Sequence, residues 1–209
     1  VWAVGTGGTV LQWNGKVWSP QASRSTSFLF SVWGTDARNV WAVGQGGTIL
    51  RWNGKVWTPQ NSGTANFLYG IWGTDAENIW AVGQGGTIVK WDGKVWTPQN
   101  SGTANFLYGI WGSSANNIWA VGGAGTILHW NGAAWVAQNP DSATNFYAVW
   151  GSDAGHVWAG GQYGTIVTWD GAAWIAQVSG TTGGFFAVRG TARNNVWAVG
   201  QAGTIQHWD

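Results

Sequence analysis

Twenty-one tryptophans in a chain of 209 residues fall on a single lattice of period 39. The string Trp-Ala-Val-Gly begins at Trp2, Trp41, Trp80, Trp119 and Trp197, and reads Trp-Ala-Gly-Gly at Trp158. A second series is Trp13, Trp52, Trp91, Trp130, Trp169 and Trp208; a third is Trp18, Trp57, Trp96, Trp135 and Trp174; a fourth is Trp33, Trp72, Trp111 and Trp150. No tryptophan lies off these series. A period of this length marks copies of one supersecondary unit that bury their faces against each other. Each tryptophan is therefore first a structural position.

One repeat, residues 67–105, gives the element pattern. Phe67–Trp72, Ile79–Val82, Thr87–Trp91 and Lys94–Thr97 read as four strands, being short β-branched and aromatic runs bounded by Gly, Asn, Asp and Pro. Gly83-Gln-Gly-Gly86 reads as a tight turn, Asp92-Gly93 as a hairpin turn, and Pro98–Asn105 as a polar link. With 35 glycines spread through the chain, helices are excluded. Four strands in about 40 residues describe a propeller blade. The expected fold is all-β, a β-propeller of four-stranded 39-residue blades. The small residues Ser31, Gly70, Gly109, Ala148 and Ala187 are expected where inner strands crowd.

The expected organisation is one domain over 1–209. Segments 28–66, 67–105, 106–144 and 145–183 are full blades, and 1–27 and 184–209 are partial ones. About six blades follow, with five, or part of a larger ring, as alternatives. The partial blades are expected to pair and close the ring, or to self-associate.

Composition narrows the function. Charged residues are 8% of the chain, against roughly 25% in an ordinary soluble domain. Net charge is +1 with no basic cluster, which disfavours nucleic acid. The apolar runs are too short to insert in a membrane. There are no cysteines, so thiolate metal sites are excluded. An extracellular or cell-surface location is expected.

Thr97-Pro-Gln-Asn-Ser-Gly-Thr103, Leu107-Tyr-Gly-Ile110, Ala120-Val-Gly122 and Gly125-Thr-Ile-Leu128 resemble the repeats of photosystem II assembly factor-like propellers, in the Asp-box, sialidase-like group. The chain departs at the hairpin, where Trp91-Asp-Gly-Lys-Val-Trp96 is shorter than an Asp-box and Asn14, Asn53 and Asn131 replace the Asp. It looks like a tryptophan-rich variant of exported bacterial proteins. More distantly, the Val-Trp strand is similar to tectonin-type lectin propellers. The assembly-factor resemblance implies a protein partner, the lectin resemblance a carbohydrate.

Nothing in the sequence reads as catalytic. Arg24, Arg38, Arg51, Arg189 and Arg193 occupy unrelated places in the repeat, unlike a carboxylate-binding cluster. Asp36, Asp75 and Asp153 recur in one turn, where an Asp side chain bonds its own backbone. His129 and His207 share a position with Gln12, Arg51, Lys90 and Thr168, which reads as solvent-facing. No cofactor or metal is expected. The preferred function is a non-enzymatic, lectin-like module binding neutral carbohydrate in repeated clefts between blades. Its candidate residues are Trp57, Gln60 and Asn61, their repeats Trp96, Gln99 and Asn100, and Arg189, which stands alone where other blades carry Trp. The tryptophans of the second and third series, beside turns, are expected to be the open ones. The alternatives are a protein-interaction or assembly scaffold, with its specialised patch in the divergent blades 145–183 and 184–209, and a repeat architecture with no defined ligand.

Overall fold

A computed structural model describes residues 1–209. Twenty-two strands form six antiparallel sheets, four of four strands and two of three. Two compact units are present, Val1–Gln99 and Asn100–Asp209. No helix is long and apolar enough to cross a membrane.

The first unit holds a three-stranded sheet (Trp2–Val4, Val10–Trp13, Trp18–Pro20) and two four-stranded ones. In the sheet of residues 67–105 the strands are Leu68–Gly73, Ile79–Gly83, Ile88–Trp91 and Trp96–Gln99, paired in sequence order. Three agree with the sequence reading; the fourth begins two residues later. The reason lies in the turn. Asp92 Oδ1 accepts the N–H groups of both Lys94 and Val95, and Asp92 N–H donates to the Val95 carbonyl. The ladder therefore closes at the Trp91–Trp96 pair, over a four-residue turn, and not over Asp92-Gly93 alone.

The second unit holds two four-stranded sheets, beginning at Leu107 and Phe146, and a three-stranded sheet (Phe185–Ala192, Asn195–Gly200, Ile205–Trp208). The first and last sheets of the chain are separate in the strand order.

Within each unit the tryptophans lock one sheet to the next. Trp41, fully buried, meets Trp91 and Trp96 of the following sheet at 5.1 and 5.5 Å. Trp2 meets Trp52 and Trp57 at 5.2 and 5.3 Å. In the second unit Trp119 meets Trp169 and Trp174 at 5.1 and 5.2 Å. These tilted and edge-on contacts suit the quadrupoles of the rings. They explain a strand such as Ile79–Gly83 that is buried throughout, with no polar alternation. Gly109 lies where the Leu107 and Phe146 strands approach: a Cβ there would stand 3.1 Å from the Tyr147 carbonyl oxygen.

Candidate functional site

The two ends of every sheet differ chemically. At one end lie the first turn and the hairpin between the third and fourth strands. At the other lie the glycine turn, the polar link and the start of the inner strand. Of the charged residues, only Arg24 and Asp141 fall in links or glycine turns; most of the rest sit in the opposite turns.

The turn carboxylates are engaged with their own backbone. Asp36 accepts the Arg38 N–H at 2.7 Å, Asp75 those of Glu77 and Asn78, and Asp153 that of Gly155. Donated bonds from Val95 and Lys94 hold the Asp92 carboxyl below the usual carboxylate range, and those from Ala173 and Ala172 do the same for Asp170. Each group is consumed in shaping a turn.

The candidate ligand residues are brought together in part. Gln60 and Asn61 line a cleft of about 250 Å³ with Trp91, Lys94 and Trp96 of the next sheet. Their aromatic neighbours are thus Trp91 and Trp96, and Trp57 is not among the lining residues. The expectation that rings beside the turns stand open is corrected for these two: Trp57 is 0% and Trp96 6% exposed, packed edge-on with Trp2 and Trp41. In the third series Trp18 is the open ring, at 47%. The amides are also occupied. Gln60 Nε2 donates to the carbonyl of Pro59 at 3.1 Å, and Gln99 Nε2 to Thr97 Oγ1 at 3.2 Å. Asn61 and Asn100 each accept a backbone N–H, from Gly63 and Gly102. Arg189 is exposed, lies opposite Trp197 in the ladder and donates to the Val188 carbonyl.

The position before the third-strand tryptophan is not simply solvent-facing. The Arg51 guanidinium lies 5.0 Å from the Trp41 ring, Lys90 Nζ 5.0 Å from Trp80, and the His129 ring stacks on Trp119 at 4.2 Å. These side chains cap a buried indole, a use of cations and flat rings that favours aromatic faces. Burial pushes the His129 imidazole below the ordinary histidine value.

A feature not singled out from the sequence stands at the link end. The inner strands begin with aromatic residues on alternate positions. In the first unit Phe30 touches Phe28, Phe67 and Tyr69, with centroids 5.4, 6.2 and 5.2 Å away. In the second unit Tyr108, Tyr147 and Phe186 follow one another at 5.4 and 5.9 Å. Phe28, Phe30, Phe106 and Phe186 are exposed. The signal was available as an aromatic at every second position, Phe67-Leu-Tyr69 and Phe106-Leu-Tyr108, which period two places on one face of a strand.

No family model matches the chain, and no curated protein does. Solved structures do. YCF48 bound to a D1 peptide is similar at TM-score 0.77 and 18% identity, over 99% of this chain and 73% of that one. YCF48 from Cyanidioschyzon merolae gives 0.76 and 18%, over 99% and 78%. The RRP9 WD40 repeats give 0.80 and 10%, over 100% and 72%. At these identities the likeness is one of fold, and together with the six antiparallel sheets it makes this chain an all-β propeller.

Proposed function

We propose that the chain is a non-enzymatic protein-interaction module that docks a partner on the link ends of its sheets. The observation that carries this reading is the pair of half-open aromatic rows in a region almost free of charge. Aromatic rings dominate the energetically important parts of protein interfaces, where charge is depleted. The D1 peptide in the similar YCF48 structure supports a polypeptide ligand. The carbohydrate reading keeps one observation, the cleft that joins Gln60 and Asn61 to Trp96. Stacking on sugar needs an open ring, and Trp96 is only 6% exposed, packed against Trp41 and Trp91. The likeness to tectonin lectins and the Asp-box has no further support, and the interaction reading is the stronger.

Selection from a displayed random-peptide library, run beside a glycan array on the same purified chain, tests this. Peptides are expected to be recovered, with at least tenfold weaker binding to Phe30→Ser/Tyr69→Ser or to Tyr147→Ser/Phe186→Ser. A glycan signal abolished by Gln60→Ala, or peptides indifferent to both double variants, would overturn it.

A further inference from the structure

Three glycines at one position of the repeat serve as seats for an indole. A Cβ placed on Gly73 would stand 2.8 Å from Cη2 of Trp33, one on Gly151 2.6 Å from Cη2 of Trp111, and one on Gly190 2.7 Å from that of Trp150. In each case the ring comes from the inner strand of the preceding sheet. Each ring also packs against a buried apolar cluster. Glycine is what lets a flat ring lie directly on the neighbouring backbone.

Gly34 has the same place in the repeat, and no ring atom comes as near to it. A Cβ there would first meet the Asn39 carbonyl oxygen at 2.7 Å and Val40 Cγ2 at 3.0 Å, both of its own sheet. Over this glycine lies a cleft of about 530 Å³, bordered by Trp2, Gln12 and Trp13 of one sheet and by Trp33, Gly34 and Asp36 of the next. Its size falls in the range of about 300–1,000 Å³ typical of sites that enclose a ligand. The walls are aromatic, and Gln12 and Asp36 offer acceptors to an indole N–H.

The backbone beside the cleft is open as well. Trp2–Val4 pairs with Val10–Trp13 and has no strand on its other side. Trp2 belongs to the series in which Trp41, Trp119 and Trp158 stand opposite the seated tryptophans, Trp33, Trp111 and Trp150. An extended segment paired antiparallel with Trp2–Val4, its own tryptophan opposite Trp2, therefore brings that indole to Gly34. Strand addition of this kind draws affinity from main-chain hydrogen bonds and specificity from side-chain pockets. The register sets a second requirement. Gly109, two residues before Trp111, passes between Val121 and Tyr147: a Cβ there would stand 3.2 Å from Val121 Cγ2 and 3.1 Å from the Tyr147 carbonyl oxygen. The corresponding place in the open sheet lies between Val4 and Phe30, so the residue two before the ligand's tryptophan has to be small.

We propose that the cleft over Gly34 binds an extended, tryptophan-bearing peptide segment of a partner, which adds as a strand beside Trp2–Val4 and seats its indole on the glycine. The site is additional to the aromatic rows: Gly34 lies toward the far end of the strand Leu29–Asp36 from Phe28 and Phe30. Calorimetric titration of the full chain with a capped heptapeptide, Tyr-Ala-Val-Trp-Gly-Ser-Asp, tests it; this is the sequence of residues 147–153, an inner strand that carries a seated tryptophan. One peptide is expected to bind per chain. Alanine in place of the peptide's tryptophan, or leucine in place of its alanine, is expected to weaken binding at least tenfold. Trp13→Ser, which removes a half-buried wall of the cleft, is expected to lose at least tenfold as well. The comparison of peptides on the parent chain decides the matter whatever the stability of that variant. Absence of heat, equal binding of the peptide lacking tryptophan, or several sites per chain would overturn the proposal. A library peptide that depends on the aromatic rows is expected not to compete. Displacement by such a peptide would sink this inference and leave the interaction reading standing, whereas a library yielding no row-dependent peptide would sink that reading and not this one.

Discussion

At the scale of the residue, a tryptophan here is a joint between sheets. Trp41 contributes its indole N–H to Asn39 Oδ1 at 2.9 Å, packs edge-on with Trp96 and offers a face to the Arg51 guanidinium. Removing it deletes a fully buried side chain whose neighbours belong to two sheets and cannot collapse together. Trp41→Ala is expected to cost about 3–5 kcal/mol, the range for emptying a large aromatic site. A denaturant midpoint equal to the parent's would show that the ring is not a joint. Glycines carry a different necessity. Gly47 has φ of +70°, and a Cβ there would collide with the Thr64 carbonyl oxygen, so the turn and the link can touch only at a glycine.

At the scale of the element, the turns are organised by single side chains accepting two backbone donors. Asn53 accepts from Lys55 and Val56 as Asp92 does from Lys94 and Val95. An amide oxygen and a carboxylate thus perform one role, which is why both occur at this position. They differ in response to acid. The folded pKa of Asp92 is depressed by its backbone donors, chiefly Val95 and then Lys94. Its contribution is therefore complete above the unfolded value of about 3.9 and fades as pH falls through the lower folded value. Asp92→Asn is expected to leave stability at pH 7 unchanged and to lessen the loss between about pH 4 and 2. Denaturation curves across that range decide it; an unchanged acid limb would assign the loss to other carboxylates.

At the scale of the whole molecule, cohesion is apolar and aromatic. The close approach of a basic to an acidic side chain is that of His156 Nδ1 to an Asp153 carboxylate oxygen, at 2.8 Å on the surface. Net charge is +1, so there is little self-repulsion for salt to screen. Raising sodium chloride from about 0.05 to about 0.5 M, where the screening length shrinks several-fold, is expected to move the thermal midpoint by no more than about 2 °C. A larger shift would reveal electrostatic cohesion that the contacts do not contain.

The period of 39, the four-strand repeat and the all-β class were legible in the sequence, because tryptophan spacing and glycine placement are local and recur six times. So was the self-bonding of Asp36, Asp75 and Asp153, since an Asx turn is decided within three or four residues. Which tryptophans are open was not. Trp57 and Trp96 border polar links in the chain, yet both are buried against Trp2 and Trp41, which lie 55 residues away in sequence. The aromatic rows were equally hidden: Tyr108, Tyr147 and Phe186 are 39 residues apart, and only the packing of one inner strand beside the next brings their rings within 6 Å. Local chemistry determined the repeat and its turns. Burial belongs to pairs of surfaces, and tertiary structure alone decided which of the repeated side chains face the solvent.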